Sequence, residues 1–266
     1  MSVRDACLVF GLRCRIQRTD NQVVKSNRDA STDEQELTGG RSRPGVALVA
    51  GTVRRPLTDR SPFVHTILGR LEAIAGVPRL HGIDEQGREV LDYLPGDTGS
   101  GREWSDDQLA ALMHIVRQMH DALAGTPEAG DHETVCHNDI APWNTIVSGD
   151  HIVGIIDFDD AAPGARTDDL GYLLWTFLDL GTTPDTPTQQ ARRMRQALNA
   201  YLAPAPLPAE PLAADLLPAI RRQQERILAF RVGRSDAFSL TKATEIRRSI
   251  AWLDQHEGRL HSALHS

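Results

Sequence analysis

Lysine is almost missing from this chain. Of the 29 basic side chains only Lys25 and Lys242 are lysine, and all the others are arginine. Basic residues are also outnumbered by 36 acidic ones, which gives a formal net charge of −7, and aromatic residues make up only 5%. The basic field and stacking surface of a nucleic-acid binder are therefore lacking. Cysteine is scarce too: Cys7, Cys14 and Cys136 are an odd number, which is no disulfide framework. No apolar run approaches the ~18 residues of a membrane span. The stretch from Cys7 to Leu12, set between arginines, is too short and badly flanked for a secretory signal. The expectation is a soluble cytoplasmic protein with neither membrane nor nucleic-acid partners. What is present suffices for a folded core: 40% of 266 residues are hydrophobic, enough for one large or two small domains.

Residues 1–34 show no sustained period and are rich in Arg, Asn, Asp and Ser, so they read as a disordered N-terminal extension. From Gly39 to Pro56 the pattern is strand, turn, strand. Ser61-Pro62 opens a helix with Val64, Ile67, Leu68, Leu71 and Ile74 on one face. Short strands follow around 79–82 and 89–94. Ser105-Asp-Asp-Gln108 is a capping box ahead of Leu109, Leu112, Met113, Val116, His120 and Leu123. Residues 168–180 are apolar all round and predict a buried helix. The Pro-rich stretch from Pro204 to Pro211 separates two or three further helices. A β-rich lobe over 35–96 and a helical lobe over 97–266, hinged near Pro95-Gly96, make an α+β arrangement with a cleft between.

Chemistry concentrates between Cys136 and Asp169. His137-Asn-Asp139 leads through Asn144 into a hairpin whose far arm ends at Ile156-Asp157-Phe-Asp159. Asn144 and Asp157 are nearly equidistant from the turn at Ser148-Gly-Asp150, so pairing brings them together. Two carboxylates and an amide oxygen make a hard-oxygen site of the kind Mg²⁺ prefers. A carboxylate left over can accept a proton from a substrate hydroxyl, which completes the parts needed for phosphoryl transfer.

The run His137-x-Asp139-x4-Asn144, followed by Ile156-Asp157-Phe158-Asp159, Asp169-Leu-Gly171 and Tyr93-Leu-Pro95-Gly96, resembles the aminoglycoside phosphotransferase family, relatives of the protein kinases. The likeness covers roughly residues 36–260. It implies a protein-kinase-like two-lobed fold and an ATP- and Mg²⁺-dependent transfer of the γ-phosphate to a small-molecule hydroxyl, with GTP not excluded as donor. Asp139 matches the catalytic base, and Asn144 and Asp157 match the metal ligands. His137 matches an architectural residue of the loop, and Asp169 a carboxylate that accepts backbone N–H bonds from it. Asp92, Tyr93 and Leu94 fall in the strand and hinge that hold the adenine, and Gly39–Gly45 on the loop that covers the nucleotide.

Two departures stand out. Related kinases hold the α- and β-phosphates with a lysine on the third strand; here Val53-Arg54-Arg55-Pro56 stands there, and Arg54 is the better match. The glutamate expected on the following helix is replaced near Val64 or His65. Asp159 and Asp160 read as capping the hairpin, Trp143 and Trp175 as core, Cys136 as a buried strand thiol, and the arginine-rich stretch 221–234 as a solvated helix face. His114, His120 and His132 lack metal-ligand spacing. Acidic residues around the cleft suit a cationic acceptor such as an aminoglycoside, with sugars and amino alcohols equally open. The competing class is a kinase-like protein that holds a nucleotide or small ligand with little or no transfer. A phosphohydrolase would need more metal ligands than the pattern offers.

Overall fold

The computed structural model describes residues 34–37, 45–203, 207 and 209–264. The N-terminal extension up to residue 33 and residues 39–44 of the glycine turn lie outside the described residues. The first layer is a five-stranded antiparallel sheet of β1 (Glu34–Glu36), β2 (Ala47–Val49), β3 (Thr52–Pro56), β4 (Leu80–Ile83) and β5 (Arg88–Asp92), in the order β1-β2-β3-β5-β4. The strand β1 is unanticipated: Glu34-Gln-Glu36 is exposed throughout and carries no apolar alternation that could announce a strand. A two-residue turn joins β2 to β3, with Ala50 and Gly51 both at positive φ (48° and 78°), as a tight hairpin of this twist requires. Helix α1 (Ser61–Leu71) starts with Pro in its first turn and buries Val64, Ile67, Leu68 and Leu71, the stripe read from the sequence.

Beyond a short strand β6 (Asp97–Thr98), helix dominates. The capping box forms at the start of α2 (Asp106–Leu123): Ser105 Oγ accepts from Gln108 N at 3.1 Å, and Gln108 Oε1 accepts from Ser105 N at 3.0 Å. Such a cap contributes about 1 kcal/mol. After β7 (Thr134–Cys136), the hairpin β8 (Thr145–Ser148) and β9 (His151–Ile155), and β10 (Ala162–Gly164) comes α3 (Arg166–Phe177). It is buried almost all round, as its uninterrupted apolar surface demands. Helices α4 (Pro187–Leu202), α5 (Ala209–Val232) and α6 (Ala237–Leu264) wrap it. Pro211 belongs to α5, inside the helix and past the end of the loop.

The two parts meet backbone to backbone. Ile155 N donates to Gly76 O at 2.8 Å, and a Cβ on Gly154 would lie 2.2 Å from that same oxygen. Only glycine permits the β9 strand to lie this close to the end of the α1 segment. No helix among the described residues is long and apolar enough to cross a membrane.

Candidate active site

The loop between β7 and β8 carries Asp139, and the fold holds its carboxylate from two sides. Tyr172 OH on α3 donates to Oδ1 at 2.8 Å; Asn144 Nδ2 donates to Oδ2 at 2.7 Å, with Trp143 Nε1 at 3.3 Å from the same oxygen. Burial pushes the Asp139 carboxyl above its ordinary value, against the pull of the Tyr172 hydrogen bond. A rigidly aimed carboxylate of raised basicity is suited to take a proton from a hydroxyl. Trp143 and Tyr172 thus touch the Asp139 carboxylate. Trp143 packs against the core as expected and in addition reaches Asp139, and Tyr172 was legible only as one more large residue of a buried helix.

Asn144 and Asp157 come together as the hairpin spacing predicts: Ile156 N donates to Asn144 O at 2.9 Å, directly before Asp157. The Asn144 amide nitrogen is engaged by Asp139, which leaves its side-chain oxygen without a donor among the described residues. Asp157 has φ 68°, the left-handed region that Asp tolerates better than most residues. Burial, and then the neighbouring Asp159 carboxylate, push its carboxyl up to about 7, with Arg55 pulling the other way. Such crowded carboxyls, short of positive charge, together with an amide oxygen, match the donor set of a hard divalent cation.

Behind the loop lies a buried relay. Asp169 accepts from His137 N and Asn138 N, both at 2.7 Å, and contacts His120 Nε2 at 2.9 Å. Burial alone would raise the Asp169 carboxyl; the bonds from His120 and His137 outweigh it and hold the group below its usual range. His120 Nδ1 lies 2.8 Å from Tyr201 OH, which also accepts from Arg166 at 3.0 Å. The two ring nitrogens of His120 thus bridge the Asp169 carboxylate and the Tyr201 hydroxyl. His120, Cys136 and Asp169 place ligand-type atoms within 4.8 Å of one another, a grouping that spacing along the chain concealed. The histidine and carboxylate are already satisfied, so the cluster is a scaffold for the loop. Cys136 is buried, its thiol donating to Ala165 O at 3.1 Å and its pKa pushed up by burial. His137 is architectural as well, with Nε2 3.1 Å from Ile156 O.

On β3 the structure turns Arg55, and not the expected Arg54, toward Asp157. Successive side chains of a strand face opposite sides. Arg54 turns away from Asp157, bonding Thr52 Oγ1 and lying 3.5 Å from Asp84. Arg55 faces the cleft: it pairs with Glu89 directly across on β5, and reaches Asp157 at 3.4 Å and Asp159 at 3.1 Å. Glu89 is fully buried and takes a second bond from His65 Nε2 at 2.6 Å. The carboxylate missing from α1 has therefore moved to β5, and His65 stands on the helix in its place. Asp159, expected to cap the hairpin, pairs its carboxylate with Arg55 across the cleft. Arg60, at the start of α1, reaches over to the backbone oxygens of Asp159 and Ala161.

Of the residues expected to hold adenine, Asp92 turns its carboxylate back onto His81 (2.6 Å) and Arg79 N (3.1 Å), and its own N–H donates to Arg79 O at 3.0 Å. Tyr93 is exposed, and Leu94 packs on Gly154. The sequence signal for Arg55 and Glu89 was present: both are charged at positions of β3 and β5 that alternation turns inward.

A family model described as the phosphotransferase enzyme family matches residues 54–212. The trifolitoxin immunity protein of Rhizobium leguminosarum bv. trifolii is 32% identical over 162 residues, 54% of this chain and 61% of that relative, so the chain spans less than two thirds of the relative's length. Among solved structures, an amicoumacin kinase in complex with AMP-PNP, Ca²⁺ and Ami superimposes with a TM-score of 0.58 at 14% identity, covering 93% of this chain and 91% of that one. A choline/ethanolamine kinase family protein from Mesorhizobium loti gives 0.52 at 14% identity (82% and 88%). A macrolide 2′-phosphotransferase from Brachybacterium faecium gives 0.51 at 15% identity (76% and 87%). These likenesses establish the fold, and the family model, which takes in β3, the loop of Asp139 and the start of α5, establishes the lineage: the chain belongs to the phosphotransferase enzyme family and has its kinase-like α+β fold.

Proposed function

We propose that this protein moves the γ-phosphoryl group of ATP to a hydroxyl of a small molecule, with Asp139 as catalytic base. The observation that carries the reading is the carboxylate of Asp139, fixed by Tyr172 and Asn144 beside Asp157. In the proposed step the acceptor oxygen bonds to the γ-phosphorus, and its proton passes to Asp139. The bond to the β-phosphate bridging oxygen breaks, and ADP leaves with the electron pair. Arg55, oriented by Glu89 and His65, holds phosphate oxygens in the role first given to Arg54. Its planar fork suits bidentate contact. The backbone of Asp92–Leu94 takes the adenine edge. Asn144 and Asp157 hold the divalent cation, with Mg²⁺ the proposed ion; it would supply charge neutralisation at the phosphates.

The lobes divide at Pro95-Gly96 in this reading, and the setting is cytoplasmic, where nucleoside triphosphate is abundant. The kinase, macrolide-phosphotransferase and immunity relatives make antibiotics, amino alcohols and toxins candidate acceptors. Asp139→Asn is expected to lower turnover about 10²–10⁴-fold, measured as acceptor-dependent ADP formation, while the thermal midpoint moves little. Unchanged turnover would remove Asp139 from the mechanism. A second reading, ligand binding without transfer, is favoured by one feature: Arg55 is bonded to Asp157 and Asp159, and must give up these partners to reach a phosphate. ATP and GTP titrations with acceptor-dependent ADP release separate the two.

A further inference from the structure

The arginine-rich end of α5 lies beside the catalytic loop, and its positive charge is not compensated there. Five arginines fall between residues 221 and 234, and two of them are neutralised locally. Arg221 pairs with Glu225 and Asp254, and Arg222 with Asp215 and Asp168. The remaining three lie toward the C-terminal end of the helix. Arg226 donates to Asn138 O at 2.8 Å, one residue from Asp139, and to Gln223 at 2.7 Å; its guanidinium lies 5.7 Å from the centre of the Tyr172 ring. Three of its five N–H groups have no acceptor among the described residues. Arg231 lies over the rings of Phe230 (5.3 Å) and Phe238 (5.1 Å) and has no carboxylate within ion-pair distance among the described residues. Arg234 lies over Phe230 (4.3 Å), and its charge adds to the Ser239 bonds that hold the Asp236 carboxyl below its usual range.

Most acidic groups nearby are already committed. Asp236 caps α6 through Ser239, and Glu245 pairs with Lys242. Asp157 and Asp159 pair with Arg55, while Asp160 is exposed and its charge acts on Asp139. The charges of Arg226 and Arg231 both reach the Tyr172 phenol, whose pKa is pushed up by burial and by Asp139 and pulled back by these two arginines. The side of Asp139 that turns toward α5 is therefore cationic and flanked by apolar rings, with Phe230 half exposed (51%). A polycationic acceptor would meet like charge there, a repulsion that works against binding. An anionic one would meet guanidinium groups whose geometry matches a carboxylate or phosphate.

We propose that the acceptor alcohol bears an anionic group, a carboxylate or a phosphate ester, which Arg226, Arg231 and Arg234 receive while its hydroxyl faces Asp139. This rests on the phosphotransferase reading and narrows its substrate class, away from the aminoglycoside-like cation that the overall acidity of the chain suggests.

The test uses the full chain with ATP, Mg²⁺ and matched acceptors: glycerol, glycerate and glycerol 3-phosphate; ethanolamine and serine; and the polycation kanamycin. ADP release gives kcat/KM for each, and thermal shift with AMP-PNP and Mg²⁺ present gives binding. At least one anionic member is expected to exceed its uncharged or cationic partner tenfold or more, and the glycerate and glycerol 3-phosphate arms tell carboxylate from phosphate ester. Arg231→Gln should erase most of that advantage through KM, and Arg231→Glu should invert it toward the amine. Preference for kanamycin or ethanolamine over every anionic compound overturns the inference and leaves the kinase reading standing. So does absence of both turnover and binding for all anionic compounds while AMP-PNP still binds. Failure of AMP-PNP to bind at all overturns the kinase reading itself.

Discussion

Arginine serves opposite purposes on the two sides of Asp139. On the β3 side Arg55 is enclosed by Glu89, Asp157 and Asp159, with its side chain only 11% exposed. On the α5 side Arg231 and Arg234 end on aromatic rings, and Arg226 on a backbone oxygen. A cation surrounded by carboxylates is part of the structure, and its removal strands buried charge. A cation left with rings and carbonyls has solvation and bonding capacity for something that arrives. In the proposed reading, the contrast lets a chain with two lysines keep a basic residue for the phosphates and still present positive charge to an acceptor.

Arg55→Ala should have the largest effect on stability. It leaves Glu89, at 0% exposure, with only His65, and breaking a buried pair in this way costs about 3–5 kcal/mol. Urea unfolding checks this, and a loss below about 1 kcal/mol would collapse the distinction between the two sides. Tyr201→Phe probes the relay behind the loop. It strips a hydrogen-bond partner from buried His120 and an acceptor from Arg166, for a loss of about 1–3 kcal/mol together with a lower kcat at nearly constant KM for ATP.

Asp179 reverses the comparison, being a largely buried carboxyl with only the charge of Lys242 to favour ionisation. Burial pushes it up to about 6. The unfolded chain releases this proton near 3.8 while the folded protein retains it to about 6, so stability falls as pH rises across that window. Asp179→Asn keeps a residue tolerant of the positive φ of 47° there. It should leave the midpoint unchanged near pH 4 and raise stability by about 1–2 kcal/mol at pH 8, read by thermal melts across pH. The smallest effect belongs to Arg231→Ala, expected within about 0.5 kcal/mol of the parent in urea because no carboxylate depends on it.

The loop of Asp139 was legible because its polar groups lie in one run. His137, Asp139 and Asn144 precede a hairpin whose register follows from its turn, and Asp157 closes it. The capped helix α2 and the buried helix α3 were likewise visible from local patterning. The inward arginine was only half legible: alternation marks one of the pair as facing the cleft, but Arg54 and Arg55 are adjacent and a one-residue phase decides which. Nor could sequence join Arg55 to Glu89 and His65, or to Asp157, 102 residues further on, since tertiary packing alone brings them together. The pairing of the Asp159 carboxylate with Arg55 was hidden for the same reason. β1 stayed hidden because an exposed Glu-Gln-Glu edge strand owes its existence to β2, with no apolar face of its own.

The inward arginine of β3 is the centre of this account, and nucleotide affinity tests it most directly. Titration of AMP-PNP with Mg²⁺ into the parent, Arg54→Ala and Arg55→Gln proteins should show at least tenfold weaker binding for Arg55→Gln and less than twofold change for Arg54→Ala. The reverse order would contradict the assignment of Arg55 to the phosphates.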